Sequence, residues 1–329
     1  MLLNLAQQYD AWITTARALS ELPYGMKWAV RDNNEYLLEL LDRVGNSKSR
    51  GPRSSETEKI YAEYALTKAD LQSRFRLTEA TLAETSRLYL FHRLPRVEGE
   101  AAKILRQADL RSLLGDALLV VGTNAMPAYH LEAGGRILDA PDTTADIDMT
   151  WKIDADPIGK SVLGMLKAVD KTYTVNTERS FQARNAKAYE FELLTVPSSI
   201  GTRKTSDPLR ALPTEGQEWL SLGRPVSQVV VGSDGAPARI VAPDPRYFAL
   251  HKLWLSSKDD RDPNKKPKDK KQGMALLSVI KTAMPHYRLD NEFVSSLAPE
   301  LKAQFDGWWA GYEGNVSNVG PQSRFLPTL

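Results

Sequence analysis

The stretch Leu118–Trp151, LLVVGTNAMPAYHLEAGGRILDAPDTTADIDMTW, decides the fold that the sequence predicts. It holds an apolar run, a Gly-Thr pair, a short helical segment with a proline, a polar loop and a second strand that carries Asp146 and Asp148. Because side chains alternate along a strand, both carboxylates point to the same face. A helix start that can bind phosphate, beside two carboxylates that can bind a divalent cation, predicts a site for nucleotide chemistry.

The composition is ordinary for a soluble globular protein. With 329 residues the chain is long enough for two domains, and its hydrophobic share of 42% and charged share of 26% are typical of such proteins. The formal net charge is only +2. An argument for nucleic-acid binding therefore cannot rest on the overall charge and needs a local patch of cations.

Cysteine is absent, which removes disulfides, thiolate nucleophiles and cysteine metal sites from consideration. The N-terminal segment lacks the basic start and the unbroken apolar centre of a signal peptide. No apolar run reaches the roughly 18 residues that a membrane-spanning helix needs. We therefore expect a cytoplasmic protein with no membrane partner.

The apolar pattern divides the chain into four parts. Residues 1–112 are predicted to be helical, because apolar residues recur at three- and four-residue spacing in Leu2–Ile13 and in Tyr36–Leu41. Residues 113–244 alternate strands with helices, as a mixed core domain would. Residues 245–314 are predicted to be helical again, and residues 315–329 to form a polar, poorly ordered tail.

Cap and turn signals place the individual elements within these parts. A polar loop is predicted at 45–53 and an exposed linker or mobile loop at 258–267. The predicted helices are Glu58–Phe75, Thr78–Arg93, Glu98–Ala108, Ile158–Val169, Arg246–Ser257, Lys268–Met284 and Pro299–Tyr312. The predicted strands are Asp116–Val121, Ala145–Trp151, Tyr173–Val175, Ser180–Arg184, Ala188–Val196, Gln228–Val231 and Arg239–Val241, the last two joined by a hairpin turn at 232–235.

Pro127 limits where the helix of the opening stretch can begin. Proline lacks an N–H and clashes with the carbonyl four residues back, so it cannot lie deep in a helix. The helix is therefore predicted to begin near Thr123 or Asn124, which leaves free backbone amides directly after Gly122 for an anion. A purely structural junction between strand and helix is the alternative.

The strand Tyr189–Leu194 supplies further carboxylates. Glu190 and Glu192 share one face of it, opposite its apolar side chains. The strand thus offers a third carboxylate in addition to Asp146 and Asp148. Three carboxylates could hold two metal ions about 3.5–4 Å apart, as used in in-line phosphoryl transfer. An edge strand with one solvated face is the alternative that the sequence leaves open.

In combination these motifs resemble the nucleotidyltransferase fold of the polymerase-beta superfamily, and within it a bacterial nucleotidyltransferase-like family. The resemblance covers residues 25–285 and lies in Lys48-Ser-Arg-Gly-Pro-Arg-Ser-Ser-Glu-Thr-Glu-Lys59, Val121-Gly-Thr-Asn-Ala125, Thr144-Ala-Asp-Ile-Asp148, Phe191-Glu-Leu-Leu-Thr195, His251-Lys-Leu-Trp-Leu-Ser256 and Lys268-Asp269. It implies an α+β fold, in which a nucleotidyltransferase-type core of mixed β-sheet with helices is flanked by N-terminal and C-terminal helical regions.

The resemblance also implies roles for the residues of the opening stretch. Gly122, Thr123 and Asn124 would bind the phosphates of an NTP through backbone amides and the threonine hydroxyl. Asp146 and Asp148 would bind Mg²⁺, with two ions expected.

Three residues outside that stretch complete the implied site. Glu192 would be the third metal ligand and the base for the attacking hydroxyl. Lys252 is similar to a lysine that toxin-type transferases direct at the phosphates, and Asp269 is similar to a later acidic residue of the same enzymes. Surface positions without a catalytic role are the alternative for both.

The implied activity is a Mg²⁺-dependent nucleotidyltransferase that joins the NMP part of an NTP, such as ATP, to an acceptor hydroxyl. Cations at Lys48–Arg53 and at Lys258–Lys271, the latter with seven Lys and Arg against four Asp, predict a phosphate-rich acceptor. For Lys48–Arg53, a solvated loop before a capped helix is the alternative. By the resemblance to toxin-type enzymes, tRNA or another RNA is the first choice of acceptor.

Other functions remain alternatives. The acceptor of the transferase could be a protein side chain or a small molecule. A non-catalytic nucleotide-binding module would use the same fold. A metal-dependent nuclease ranks lowest, because Leu194 stands where the usual Glu-x-Lys arrangement has lysine. The preferred base, and a toxin, antitoxin or housekeeping role, are left open.

Overall fold

The computed structural model describes residues 1–138, 140, 146–152, 161–199, 207–316 and 325–327. The chain divides into two compact units, Met1–Arg87 and Leu88–Leu329. None of the described helices combines the length and the apolar composition that crossing a lipid bilayer requires.

The first unit combines helices with a small antiparallel sheet. Its elements are α1 (Leu2–Glu21), β1 (Gly25–Arg31), β2 (Asn34–Leu40), β3 (Ser47–Pro52) and most of α2 (Ser55–Phe91). The strand order is β1-β2-β3. Asp32 and Asn33 join the first two strands and both have positive φ, 48° and 59°, as two-residue hairpin turns that match the twist of the strands require.

The helix predicted around Tyr36–Leu41 is wrong, because Asn34–Leu40 forms strand β2. Leu37 and Leu38 are neighbours on this strand, yet they are only 0% and 6% exposed. The strand is thus covered on both faces. Such a strand carries an unbroken apolar run, which has no period that distinguishes it from a buried helix. The loop predicted at 45–53 is likewise mostly strand, β3.

Helix α2 is continuous where two helices, Glu58–Phe75 and Thr78–Arg93, were predicted. Thr78 was expected to begin the second helix. Its hydroxyl instead donates to the carbonyl of Arg74 at 2.9 Å. A threonine that bonds to the carbonyl four residues earlier fits within a helix, so its preference for helix starts was misleading here.

The second unit contains most of the predicted elements. In the described residues its helices are α3 (Gly99–Leu110), α4 (Met126–Glu132), α5 (Val162–Val169), α6 (Pro245–Ser257), α7 (Lys266–Ala283), α8 (Asn291–Ser295) and α9 (Pro299–Val316). Its strands are β4 (Arg96–Val97), β5 (Leu118–Val121), β6 (Gly135–Ile137), β7 (Asp146–Trp151), β8 (Thr174–Val175), β9 (Gln182–Arg184), β10 (Glu190–Thr195), β11 (Leu212–Pro213), β12 (Val226–Gly232), β13 (Pro237–Ala242) and β14 (Phe325–Pro327).

A mixed sheet forms the centre of this unit. Its strand order is β5-β7-β10-β9-β8, with β11 also paired to β10. The pairs β7–β10 and β10–β11 are parallel, whereas β5–β7, β9–β10 and β8–β9 are antiparallel. A second sheet has the order β13-β12-β4. These sheets and the helices beside them confirm the predicted α+β fold with a mixed sheet.

The strands and helices predicted for the second unit are present, with ends displaced by a few residues. The hairpin around 232–235 joins β12 to β13 in antiparallel register. Residues 144 and 145 of the Thr144–Asp148 motif and residues 158–160 of the predicted helix lie outside the described residues. Part of the tail does not behave as predicted, because β14 pairs with β6.

Tyr129 attaches helix α4 to helix α6. It is fully buried, its ring lies 5.0 Å from that of Phe248, and its hydroxyl donates to the carbonyl of Pro243 at 3.0 Å. Burial of aromatic side chains of this size contributes roughly 1.5–3 kcal/mol each. This contact ties the helix that carries Lys252 to the helix that follows Gly122.

Candidate active site

Gly122 ends β5 and forms the first wall of the site. Its φ of 65° lies in the left-handed region, which glycine enters without the steric cost of a Cβ. A Cβ at this position would lie 2.3 Å from Oδ2 of Asp148. Asp148 is brought there by the register of β5 and β7, which pairs it with Val121. Glycine is therefore required both by the turn and by the carboxylate that packs on it.

From Gly122 the chain enters a 3₁₀ turn, Gly122–Ala125, and then α4, with Pro127 in its first turn. The predicted helix start near Thr123 or Asn124 thus falls in the 3₁₀ turn, and the α-helix begins later because proline fits only its first turn. Both residues are buried, and Asn124 Nδ2 donates to the carbonyl of Asp146 at 2.6 Å. The side chain of Asn124 therefore holds the turn against β7.

Four carboxylates, those of Asp146, Asp148, Glu190 and Glu192, share one face of the mixed sheet beside this turn, which we call the carboxylate face. In the parallel pair β7–β10, Asp146 lies opposite Glu190 and Asp148 lies opposite Glu192. The residues between them point to the other face and are at most 1% exposed: Ile147, Met149, Phe191 and Leu193. Both strands have neighbours on each side. They are interior strands, which excludes the edge-strand alternative for these acids.

Charges of like sign crowd around Asp148. Burial raises the pKa of this carboxyl, and the charges of Asp146 and Glu192 raise it further, to about 7, against the opposing attraction of Lys252 and Lys265. Asp148 nevertheless remains partly accessible to solvent. Strongly perturbed pKa values are enriched at functional sites.

The chemistry of this face fits a divalent cation such as Mg²⁺, which prefers oxygen ligands. The repulsion that raises the pKa of Asp148 is the charge that a cation would neutralise. Yet in the described part of the chain no three Asp, Glu or His side chains lie close enough together to hold a metal ion. Glu192 Oε1 accepts a hydrogen bond from Gln182 Nε2 at 3.1 Å. Metal binding therefore requires the acids to close in.

The structure brings the predicted residues Lys252 and Asp269 together. Helices α6 and α7 pack closely at Gly273, where a Cβ would lie 2.7 Å from the carbonyl oxygen of Ala249. Lys252 Nζ donates to Asp269 Oδ1 at 2.7 Å, and both residues are buried. Arg261 donates to the second oxygen, Oδ2, at 2.9 and 2.7 Å. The segment predicted as an exposed linker thus contributes a guanidinium to a buried ion pair.

Asp269 keeps its charge inside the protein. Burial by itself would raise the pKa of Asp269, but the attraction and hydrogen bonds of Lys252 and Arg261 outweigh it and lower the pKa below its usual value. The carboxylate in turn forms a buried ion pair with the ammonium of Lys252. Since Lys252 also lowers the pKa of Asp148, its ammonium acts on the carboxylate face as well.

Two lysines to which the sequence assigned no role at the carboxylates also act on these acids. Lys265 precedes α7 and opposes the raised pKa of Asp148, and Lys268 lies in the first turn of the helix. Burial and then the charge of Lys252 lower the pKa of Lys268, while Asp146 raises it. The cationic composition of 258–271 was the available signal. Only the packing of α7 decides which of its lysines act on the carboxylate face.

His251, next to Lys252, is buried against two indole rings. Its ring centroid lies 6.3 Å from that of Trp219 and 5.7 Å from that of Trp254. Neither ring nitrogen has a hydrogen-bond partner within the described structure. Burial, followed by the charge of Lys252, lowers the pKa of His251 from 6.5 to about 3. The imidazole is therefore neutral at physiological pH and serves packing.

The cations of Lys48–Arg53, in the first unit, are largely neutralised by acids of the same unit. Arg50 donates to Glu39 at 2.5 Å, and Arg53 donates to Glu35 at 2.6 Å. The predicted phosphate clamp is therefore not favoured here, and the structural alternative fits this segment better.

Comparison with curated proteins found no match for the sequence. Among solved structures, the antibiotic-resistance factor ANT(2'')-Ia, whose solution structure reveals substrate-regulated conformation dynamics, is 15% identical to the chain. The likeness covers 67% of this chain and 96% of that chain, with a TM-score of 0.30. A TM-score this low supports no conclusion about fold or substrate.

Residues 99–297 match a family described as nucleotidyltransferase. The matched region makes up more than half of the chain and includes the turn at Gly122, the four acids of the sheet face and the pair Lys252–Asp269. The family predicted from the motifs is thereby confirmed. The protein is an enzyme that belongs to the nucleotidyltransferase family.

Proposed function

We propose that the protein transfers the NMP group of an NTP to an acceptor hydroxyl in a Mg²⁺-dependent reaction. One observation carries the proposal: the carboxylate face of β7 and β10 adjoins the turn at Gly122 and interacts with Lys252 of α6 and with Lys265, which precedes α7. The acceptor oxygen forms a bond to the α-phosphorus, the bond from that phosphorus to the β-phosphate oxygen breaks, and pyrophosphate leaves.

Asp146, Asp148 and Glu192 would hold the cation, with two ions expected from the family resemblance. A bound Mg²⁺ supplies charge neutralisation for the triphosphate and alignment of the reacting oxygens. Asp148 is anchored for this role by its contact with Gly122. Glu192 accepts the proton of the attacking hydroxyl, as the resemblance implies.

The phosphates are bound from two sides. The backbone amides of Gly122, Thr123 and Asn124 and the threonine hydroxyl contact them at the turn. On the other side Lys252 is directed by its buried bond to Asp269. Lys265 and Lys268 add positive charge that balances the leaving pyrophosphate.

Transfer is tested with the pure protein, each α-labelled NTP in turn, Mg²⁺ and total cellular RNA or lysate. We expect label to enter an acceptor, and Asp148→Asn to lower the rate at least 100-fold. Asp306→Asn, an exposed acid on α9, is the matched control and should leave the rate unchanged. Equal rates for D148N and wild type would overturn the proposal. Isothermal titration gives a second test: the proposal also fails if the wild type shows no Mg²⁺-dependent NTP binding, or if Asp146→Ala does not abolish that binding.

We propose RNA as the acceptor, with the tRNA end as the first choice. Lys265, Lys270 and Lys271 are exposed at and near the start of α7, the helix whose Lys268 interacts with Asp146. Exposed lysines of this kind bind a phosphate backbone in a salt-dependent manner. Label in an RNA band that declines steeply with rising salt supports this acceptor. Label in a protein band or a small molecule would replace it.

A toxin-like role follows if tRNA ends are blocked by the transfer. Induced expression of the wild type in growing bacteria should then stop growth, whereas D148N should not. Normal growth with active, labelled enzyme would assign the protein a housekeeping transfer instead.

A further inference from the structure

Side-chain amides form a relay that ends on the acids of β10. The relay begins in the turn after β8, where the N–H groups of Glu178 and Arg179 donate to Asn176 Oδ1 at 3.0 and 3.3 Å. Because the oxygen of Asn176 is taken by these backbone donors, its NH₂ group points the other way. Asn176 Nδ2 donates to Gln182 Oε1 at 2.8 Å.

Gln182 passes this orientation to the carboxylates. With its oxygen facing Asn176, its NH₂ group faces the acids, and Nε2 donates to Glu190 Oε2 and to Glu192 Oε1, both at 3.1 Å. Each of the two N–H bonds therefore serves one carboxylate. Gln182 is only 4% exposed and lies directly opposite Glu192 in the register of β9 and β10. Its position is determined by the sheet and its direction by the turn.

The two glutamates differ in what neutralises them. Arg184 lies opposite Glu190 and approaches it to 3.7 Å, so this acid has a cationic partner. Glu192 lies opposite Asp148 and raises the pKa of that carboxyl. Gln182 holds Glu192 by a neutral donor. It fixes the carboxylate without cancelling its charge, and its bond goes to Oε1 and not to Oε2.

We propose that Gln182 is a positioning residue of the transferase site. It holds Glu192 in place on the sheet as the acid toward which Asp146 and Asp148 close when a divalent cation binds, and Asn176 keeps the Gln182 amide in the productive direction. The inference rests on the proposed Mg²⁺-dependent transfer. Hydrogen-bond partners of metal ligands typically contribute 10–100-fold to metal affinity or activity.

Two variants remove the relay in different ways. Gln182→Met keeps the length of the side chain and removes both donors. Asn176→Asp keeps an oxygen for the turn amides but places a second oxygen against Gln182, which favours reversal of its amide. Gln228→Met is the matched control. Gln228 lies on β12, and its Nε2 also donates to a glutamate, Glu132 of α4, at 2.6 Å.

Binding of Mn²⁺ is measured by isothermal titration with a non-hydrolysable NTP analogue present. We expect the Mn²⁺ dissociation constant to rise about 10–100-fold in Q182M and N176D and to stay at the wild-type value in Q228M. In the transfer assay the two relay variants should need more Mg²⁺. At saturating Mg²⁺ their KM for NTP should equal that of wild type and most of kcat should return.

The outcomes separate the inference from the function on which it rests. Wild-type protein that binds no Mn²⁺ would overturn the proposed function. If the wild type binds Mn²⁺ and Q182M and N176D bind it with the same dissociation constant, only the role of Gln182 is overturned. If Q182M lacks a cooperative thermal transition and is therefore misfolded, the Mn²⁺ affinity of N176D decides the test. N176D keeps the side-chain oxygen that accepts from the turn amides of Glu178 and Arg179.

Discussion

Replacement of Gly122 by alanine tests whether the turn at Gly122 positions the carboxylate of Asp148, the proposed metal ligand. The left-handed backbone at this position, φ 65°, costs a non-glycine residue roughly 1–2 kcal/mol. Reduced freedom of the unfolded chain returns about 0.4–1 kcal/mol. The net loss of stability is then about 1 kcal/mol, which lowers Tm by about 2–4 °C for a unit of this size.

The larger effect is expected on the reaction. The alanine Cβ would lie 2.3 Å from Asp148 Oδ2, so the carboxylate must retreat by about 1 Å to reach an ordinary contact of 3.4 Å. Displacement of a catalytic group by this amount lowers a rate about 100-fold. Label transfer from an α-labelled NTP at saturating Mg²⁺ measures kcat, and differential scanning calorimetry measures Tm.

Gly235→Ala supplies the matched control. Gly235, in the β12–β13 hairpin, also has a left-handed φ, 83°, and a Cβ there would meet nothing within 4 Å. We expect both variants to lose similar stability and only G122A to lose transfer. Equal activity of the two variants would refute the reasoning that Asp148 is positioned by its contact with Gly122.

Further variants probe stability and acceptor binding. The neutral, buried His251 cannot take up a proton until about pH 3, whereas the unfolded chain does so below 6.5, so stability falls as the pH drops through this range. Between pH 6.5 and 5 the free energy of unfolding of His251→Phe should therefore fall by about 2 kcal/mol less than that of the wild type. Urea unfolding measures it at each pH, and an equal fall in both proteins would contradict this. Asp269→Asn leaves Lys252 and Arg261 without their carboxylate partner and should lower the free energy of unfolding, measured in urea, by about 3–5 kcal/mol. Lys252→Met should cost less, because Arg261 still pairs with the acid, while it abolishes transfer; a greater loss of stability in K252M would count against this pairing scheme. Lys270→Ala should raise the Kd for RNA several-fold, and Arg53→Ala should not; filter binding at two salt concentrations measures both values, and an equal effect would reassign the RNA surface.

The site could be predicted to the extent that its features are local in sequence. Alternation along a strand places Asp146 with Asp148 and Glu190 with Glu192, whatever the strands pair with. A proline restricts the helix start within a few residues of Gly122. These are consequences of backbone geometry over short stretches, and they hold in the structure.

The errors lie where local signals were ambiguous. The run around Leu37 fits a helix and a two-sided strand equally well, and burial on both faces decided for the strand. Thr78 has the character of a helix cap, but its hydroxyl found a carbonyl one turn earlier. In both cases tertiary packing or a continued helix outweighed residue preference.

The sequence by itself therefore determined the family, the acids and the side of the strands on which they lie. Only the tertiary structure decided that the strands are interior, that Glu192 stands opposite Asp148, and that α7 brings lysines and Asp269 to the site. It also revealed Gln182, for which no sequence signal existed. Strand register and helix packing join residues far apart in the chain, and the free energy that selects them is spread over many contacts, which no short motif records.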